Sequence, residues 1–513
     1  MVAKSKKEAH FLVALIPIIM LVGLLYLNVK IYADDATYGP NQIALLIAAA
    51  IATLIGFSLR YTWEELQKGI VRSIKSALPA IIILLLIGAL AGTWLLSGVV
   101  PTMIYYGLKV IHPSIFLFAA CAVSAIVAMA TGSSWSTIAT VGVALLAIGT
   151  ALGFGSGLVA GAIISGAYFG DKMSPLSDTT NLAPAMAGTD LITHIKYMTI
   201  TTVPSMGLTL LIFLLLGFGA KEASNSGDVE LIMKMIDSHF YVSPILFIVP
   251  AVVVYMIVKK VSAIPALFVG VLLGAVAGII FQPDLIQSIA GVSGNYFEAS
   301  YTASVNAMFG EVTAISPDEM ELLSKDEQNI AGLLDAGGMA GMMNTIWLII
   351  CAMCFGGVME ACGLLQKITK TIVSVVKSAG SLIATTAGTC IFFNLTASDQ
   401  YLAIVVPGRM YADTYRERGL APENLSRTLE DSGTVTSVLV PWNTCGAAQS
   451  TVLGVATGEY FMYCFFNLIS PVMTVIFGYA NIKIRRIEPN LKNDVEVKSN
   501  DELLDGASSN EDN

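Results

Sequence analysis

Twelve consecutive residues, Gly170-Asp171-Lys172-Met173-Ser174-Pro175-Leu176-Ser177-Asp178-Thr179-Thr180-Asn181, carry most of the chemistry in this chain. They set two carboxylates, one ammonium and five hydroxyl or amide side chains inside an otherwise apolar stretch, 156–190. Such oxygens are hard ligands suited to Na+, and a carboxylate can hold a proton in the cation's place. Pro175 lacks a backbone donor and clashes with a preceding carbonyl, so a helix should break there and free further oxygens. A second group is Thr131-Gly132-Ser133-Ser134-Trp135-Ser136-Thr137. Gly132 permits a tight turn, and the hydroxyls can satisfy unwound backbone or hold an ion at a half-helix N-terminus. A third is Asn394-Leu395-Thr396-Ala397-Ser398-Asp399-Gln400, joined by Trp442-Asn443-Thr444 from the next segment.

The elements that hold these groups must lie in lipid. Of the 513 residues 55% are hydrophobic and 13% charged, with mean hydropathy +0.73. A soluble domain carries about 25% charge, so this chain has too little polar surface to face water. Uninterrupted apolar stretches occur at 11–29, 42–59, 77–99, 197–219, 240–258, 262–281, 344–366 and 459–480. Lys4, Lys6 and Lys7 precede the first, but no small-residue cleavage site follows, so it reads as an uncleaved span. Residues 63–76 have the pattern of an interfacial amphipathic helix. The seven cysteines sit in or beside apolar runs, and no second pair completes the Cys351/Cys354 spacing into a zinc site. No phosphate-binding loop, H-E-x-x-H or G-x-S-x-G element is present, and no basic nucleic-acid face. The expected cofactors are none; the expected partners are the bilayer and the transported ions.

Charge sets the orientation. Lys and Arg cluster at 4–7, 60–75, 259–260, 367–377, 409–427 and 483–486, which are cytoplasmic by the positive-inside rule. Residues 378–408 then leave and re-enter the same side. The simplest path is a re-entrant hairpin turning at Ser398–Asp399, with Asp399, the lone charge between Lys377 and Arg409, at its deepest point. A charge at the bilayer centre costs about 2.5–3.5 kcal/mol even on a lenient scale, so a retained one has a use. Residues 114–152 form a matching hairpin, and 156–190 and 431–457 are matching broken helices. An offset of 266 residues carries Pro175 to Pro441, Gly188 to Gly454 and Ser133 to Asp399. The copies enter from opposite sides, the pattern of an inverted repeat with its site at the midplane.

The expected fold is thus an all-α polytopic membrane protein of two inverted-topology repeats, with about ten crossings plus two hairpins and both termini cytoplasmic. The expected organisation is 1–76, N-terminal spans and interfacial helix; 77–195, first repeat; 196–281, connecting spans; 282–343, an extracytoplasmic acidic loop; 344–480, second repeat; and 481–513, a disordered tail. The expected ion- and proton-binding residues are Asp171, Asp178, Thr179, Thr180, Asn181, Asp399, Asn443 and Thr444. Within that set Na+ is assigned to Asp178, Thr179, Asn181 and Asp399. Ser133, Ser134, Trp135 and Ser398 are the hairpin-tip candidates for substrate contact. Lys172, Glu360 and Asp431 are the candidate charge partners. His194 is expected at a membrane interface, and Glu430 with Asp431 at a helix start.

Gly132-Ser133-Ser134-Trp135-Ser136-Thr137 and the stretch Gly166 to Asn181 closely resemble the hallmark segments of the NhaC-type Na+/H+ antiporter family. The resemblance covers most of residues 10–485 and implies a cytoplasmic-membrane antiporter exchanging internal Na+ for external H+. It also implies that Ser177–Asn181 and Asn443–Thr444 are ion or substrate clamps. Some relatives couple these ions to small carboxylates such as malate and lactate, so Na+/H+-coupled organic-anion or amino-acid transport is the alternative cargo. A channel would repeat identical ligand rings, whereas Asp178 is matched by Thr444 and Ser133 by Asp399. An intramembrane aspartyl enzyme would need a water-activating pair, which the oxygen-crowded block does not suggest. Oligomeric state stays open, with a homodimer as the assembly considered.

Overall fold

The computed structural model describes residues 6–32, 36, 38–110, 112–219, 226–259, 261–291, 295–315, 334–373 and 378–487. Of the tail expected to be disordered, 481–513, residues 481–487 are ordered instead, held by the Ala421 amide on the Arg485 carbonyl (3.1 Å) and the Ile487 amide on the Gly419 carbonyl (2.9 Å). The rest, from 488 onward, and part of the acidic loop, 316–333, lie outside the described residues. The described residues are helical apart from one two-stranded pair, Val312–Thr313 with Asp335–Ala336, and irregular connections. That follows from the composition: in hydrocarbon every backbone donor and acceptor must be satisfied within its own segment, which a helix does. Among the described residues nine helices are long and apolar enough to cross a membrane. Two bent pairs, Glu230–His239 with Pro244–Val258 and Thr457–Tyr463 with Phe465–Tyr479, raise that to eleven. Large apolar side chains such as Ile126, Leu215 and Ile280 point outward, as lipid rather than water would allow.

Both halves contain the hairpin and broken helix expected from sequence, in a shared frame. The first hairpin is Pro113–Thr131 and Ser134–Ala151, and the first broken helix is Ser156–Met173 and Asp178–Ala187. The second hairpin is Ala379–Thr396 and Gln400–Glu417. The second broken helix runs from Pro422–Leu429 through unwound turns to Thr444–Leu453. All four helix starts recur 266 residues later: Pro113 and Ala379, Ser134 and Gln400, Ser156 and Pro422, Asp178 and Thr444. Each hairpin turns through one left-handed residue, Gly132 at φ 70° and Ser398 at φ 58°, and each broken helix ends on one, Gly188 at 81° and Gly454 at 64°. Small residues let the first hairpin lie against the first broken helix: a Cβ on Gly166 would collide with the Cys121 carbonyl oxygen.

Three expectations are corrected. Residues 63–76 are not a separate interfacial helix, and no boundary falls at 76. Trp63–Leu96 is one continuous 34-residue helix, begun by a reciprocal Thr62–Glu65 cap and bearing Pro79 without interruption. At 1.5 Å per residue it is about 51 Å long, so its amphipathic start extends beyond a ~30 Å hydrocarbon layer. Secondly, the return limb of the second hairpin continues past 408 to Glu417. Thirdly, the second broken helix begins at Pro422 rather than 431, and every residue from Glu423 to Thr434 is buried. Arg427, counted with a basic cytoplasmic loop, is enclosed by protein, stacked 4.7 Å from the Tyr197 ring centroid.

Candidate functional site

Four helix N-termini open onto one cavity of about 750 Å³. Each has a side-chain cap. Ser133 accepts from Ser136 N (3.2 Å) ahead of Ser134–Ala151, and Asp399 accepts from Leu402 N (2.9 Å) ahead of Gln400–Glu417. Ser177 accepts from Thr180 N (3.5 Å) ahead of Asp178–Ala187, and Asn443 accepts from Cys445 N (3.0 Å) ahead of Thr444–Leu453. Ser133, Ser177, Asp399 and Thr444 all line the cavity, as do Trp135, Asp171, Asp178 and Thr179. The fold therefore brings both hairpin tips and both helix breaks to one place, from segments separated by some 266 residues of chain.

The individual residues divide into those facing the cavity and those bracing it. The Asp171 carboxylate accepts from the Ser134 amide (2.9 Å) and hydroxyl (2.6 Å), tying the first broken helix to the first hairpin tip. Asp178 stands in the first turn of its half-helix, exposed to the cavity. Thr179 is paired with Ser177 through their hydroxyls at 3.2 Å. Thr180 instead donates to the Lys172 carbonyl at 2.9 Å, satisfying an oxygen freed by the break. Asn181 likewise donates to the carbonyls of Pro175 (3.0 Å) and Ser177 (2.7 Å). Asn443 donates to Asn394 (3.1 Å), whose amide donates on to the Gly433 carbonyl at 2.7 Å, so this pair splints the second break. Thr444 donates its amide to the Ser398 carbonyl (3.0 Å), joining the second break to the second tip. The Ser398 hydroxyl is buried and has no hydrogen-bond partner among the described residues.

The candidate charge partners lie elsewhere. Lys172 and Asp431 are fully buried and form an ion pair that links the two broken helices; Ser470 bonds both. Asp431 also accepts from Thr201 (2.8 Å) and has the Arg427 guanidinium at 4.0 Å. It is not at a helix start: Glu430–Thr434 is a wide turn continuing from Pro422–Leu429. Neither Glu430 oxygen and no Arg427 nitrogen has a hydrogen-bond partner among the described residues, although all are buried. His194 is buried too, not interfacial, its Nδ1 2.8 Å from the Ser426 hydroxyl. Glu360 lines a separate cavity with Lys6, Lys68 and Arg72 and takes no part in the main one.

Sequence reasoning missed two parts of the cavity. One is its apolar wall, formed by Ala77, Pro79, Ala80 and Ile83 of the long third helix with Ile257 and Val261. No pattern distinguishes such residues from lipid-facing ones. The other is Tyr401, one residue beyond Gln400; the 266-residue offset pairs it with Trp135 and could have found it.

Comparison with known proteins is consistent over nearly the whole chain. The model of the Na+/H+ antiporter family matches residues 7–167 and 166–482. The Na(+)/H(+) antiporter NhaC of Alkalihalophilus pseudofirmus is 36% identical over 452 residues, 88% of this chain and 92% of that protein. The malate-2H(+)/Na(+)-lactate antiporter of Bacillus subtilis is 35% identical over 472 residues, 91% and 94% of the two chains. A solved structure of Neisseria gonorrhoeae MtrF, of a class of antimetabolite efflux pumps, covers 91% of this chain and 95% of its own at 13% identity and TM-score 0.35.

Proposed function

The chain belongs to the Na+/H+ antiporter family, and from that premise we propose that Na+ and H+ compete for the carboxylates of the cavity between the two hairpin tips. The observation that carries this is the charge balance of the lining. A helix N-terminus contributes roughly +0.5 of an elementary charge, so four supply about +2. Asp171, Asp178 and Asp399 oppose them, and no Lys, Arg or His lines the cavity among the described residues. With all three ionised the cavity is one charge short of neutral. One Na+ completes the balance, and so does one proton, but not both. Competition for a single vacancy, exposed alternately to the two sides, exchanges Na+ for H+ with no input of ATP.

Within the lining the roles divide. Asp178, Thr179, Asp399 and Thr444 line the cavity and are the proposed Na+ ligands. Asp171 shares the charge but is held by Ser134, and it positions the first tip. Thr180, Asn181 and Asn443 are spent on freed backbone and neighbouring amides, so they shape the site. Glu360 is left out. The protein is a multi-pass membrane protein; the basic clusters favour both termini on the cytoplasmic side, and membership of the antiporter family supports the cytoplasmic membrane and export of internal Na+. A small carboxylate would find no cationic side chain here and would need Na+ as its counter-ion.

Reconstituted vesicles containing a pH-sensitive dye test the assignment. Addition of Na+ should drive proton movement, and K+, malate or lactate alone should not. Asp178→Asn and Asp399→Asn should each lower the Na+-driven rate at least ten-fold. Normal exchange by both variants would move the site elsewhere.

A further inference from the structure

The cavity is larger, and more apolar on one side, than an inorganic cation requires. At ~30 Å³ per water, about 750 Å³ holds on the order of twenty waters, and it falls within the ~300–1,000 Å³ of small-molecule sites. Its two walls differ. One carries Asp171, Asp178 and Asp399; the other is Ala77, Pro79, Ala80, Ile83, Ile257 and Val261. The same lining holds two aromatic residues at equivalent positions of the two hairpin tips, Trp135 and Tyr401, each three residues after its left-handed turn. A bare or hydrated Na+ gains nothing from an alkyl wall or from two rings. A cation whose charge meets the carboxylates, whose flank meets a ring face and whose carbon chain meets the apolar wall gains from all three.

We propose that this cavity also binds and transports small organic monocations, guanidinium or ammonium compounds with a short alkyl chain, in competition with Na+. The charge vacancy described above admits one positive charge, so the organic cation replaces Na+ instead of accompanying it. This rests on the Na+/H+ reading, because the same carboxylates are used. Trp135 and Tyr401 are the residues that would distinguish the two cargoes, since an aromatic face favours a large, weakly hydrated cation.

Methylguanidinium is a suitable probe because it stays charged at any working pH and cannot carry protons across lipid by itself. In vesicles bearing the full chain, it should inhibit Na+-driven proton movement competitively, and labelled methylguanidinium should exchange against internal unlabelled compound. Tyr401→Leu should raise the ratio of its inhibition constant to the Na+ KM at least five-fold, and Tyr401→Phe, which keeps the ring, should leave that ratio unchanged. Na+-driven exchange in the same vesicles reports whether each variant is folded. Intact Na+ exchange with neither inhibition nor labelled exchange would overturn the proposal and leave the Na+/H+ reading standing. An unchanged ratio in an active Tyr401→Leu would overturn the aromatic assignment. Absence of Na+ exchange from the unsubstituted protein would overturn the reading on which the proposal rests.

Discussion

The first broken helix presents its carboxylates to the cavity, whereas the second buries its own against the opposite repeat. Asp171 and Asp178 line the shared cavity. Glu430 and Asp431 are wholly enclosed, and Asp431 is paired with Lys172 of the first broken helix. The two segments nevertheless have the same frame, with half-helices starting at Asp178 and Thr444 and ending at matching left-handed glycines. A duplicated backbone has therefore been given two tasks. One copy supplies charge to the cavity proposed as the ion site, and the other supplies a charged joint between repeats. A rocking motion of one repeat against the other would act on that joint directly, because Lys172 follows Asp171 with no residue between them.

The joint yields the largest expected effect. Removing one member of a buried ion pair costs about 3–5 kcal/mol, because the survivor is left charged in a low dielectric. The two members are not equivalent here. Asp431→Asn strands two buried cations, Lys172 and Arg427, while Lys172→Met leaves Asp431 its Thr201 bond at 2.8 Å and the Arg427 guanidinium at 4.0 Å. Thermal unfolding in detergent should show Asp431→Asn melting well below Lys172→Met. If the order is reversed, Arg427 does not share the Asp431 charge and the joint is a simple pair.

This asymmetry also explains what could be read in advance. The hairpins, the breaks and the 266-residue offset were legible because they depend on local events: a proline, a capping side chain, a glycine at a turn, a lone Asp399 in an apolar run. The cavity carboxylates were legible for the same reason, being costly in lipid unless used. The buried joint was legible only in part: Lys172 and Asp431 stand out as charge partners, but their pairing and the third member, Arg427, do not. Arg427 sits 18 residues after Arg409 in a run of charges that looks like a wetted loop. Only the packing of Pro422–Leu429 beneath Tyr197 removes it from water, and such long-range enclosure leaves no mark on sequence spacing. Charge counting for orientation is blind to a basic residue that folds inward, and the hairpin end and helix start were misplaced together as a result.

A smaller effect separates capping from ion handling at the two tips. Ser133 and Asp399 occupy equivalent positions and perform the same structural service, each accepting one backbone amide at a helix start. Ser133→Ala and Asp399→Ala should each cost about 0.5–2 kcal/mol, the usual worth of such a cap. Exchange should distinguish them: Asp399→Ala should lose Na+-driven proton movement, and Ser133→Ala should lower it far less. Asp399→Ser is the sharper variant, since a hydroxyl restores the cap without the charge. Its melting should approach the unsubstituted protein while exchange stays low; recovery of both would reduce Asp399 to a cap.

The smallest effect concerns the turns themselves. Gly132 and Ser398 both adopt left-handed backbone, which costs a residue with a Cβ about 1–2 kcal/mol. At Gly132 the missing side chain is needed for space, because a Cβ would approach Leu176 Cβ to 2.6 Å. Ser398 bears the strain with its hydroxyl buried and without a hydrogen-bond partner among the described residues, a further cost. Ser398→Gly removes both burdens, offset in part by the greater freedom of glycine in the unfolded chain. The expected net gain is up to about 1 kcal/mol, read as a slightly higher melting temperature with exchange unchanged. Gly132→Ser should move melting in the opposite direction and further. A Ser398→Gly protein that melts higher but exchanges more slowly would show that the second tip keeps a strained serine for the ion, extending the asymmetry between the repeats from the broken helices to the turns.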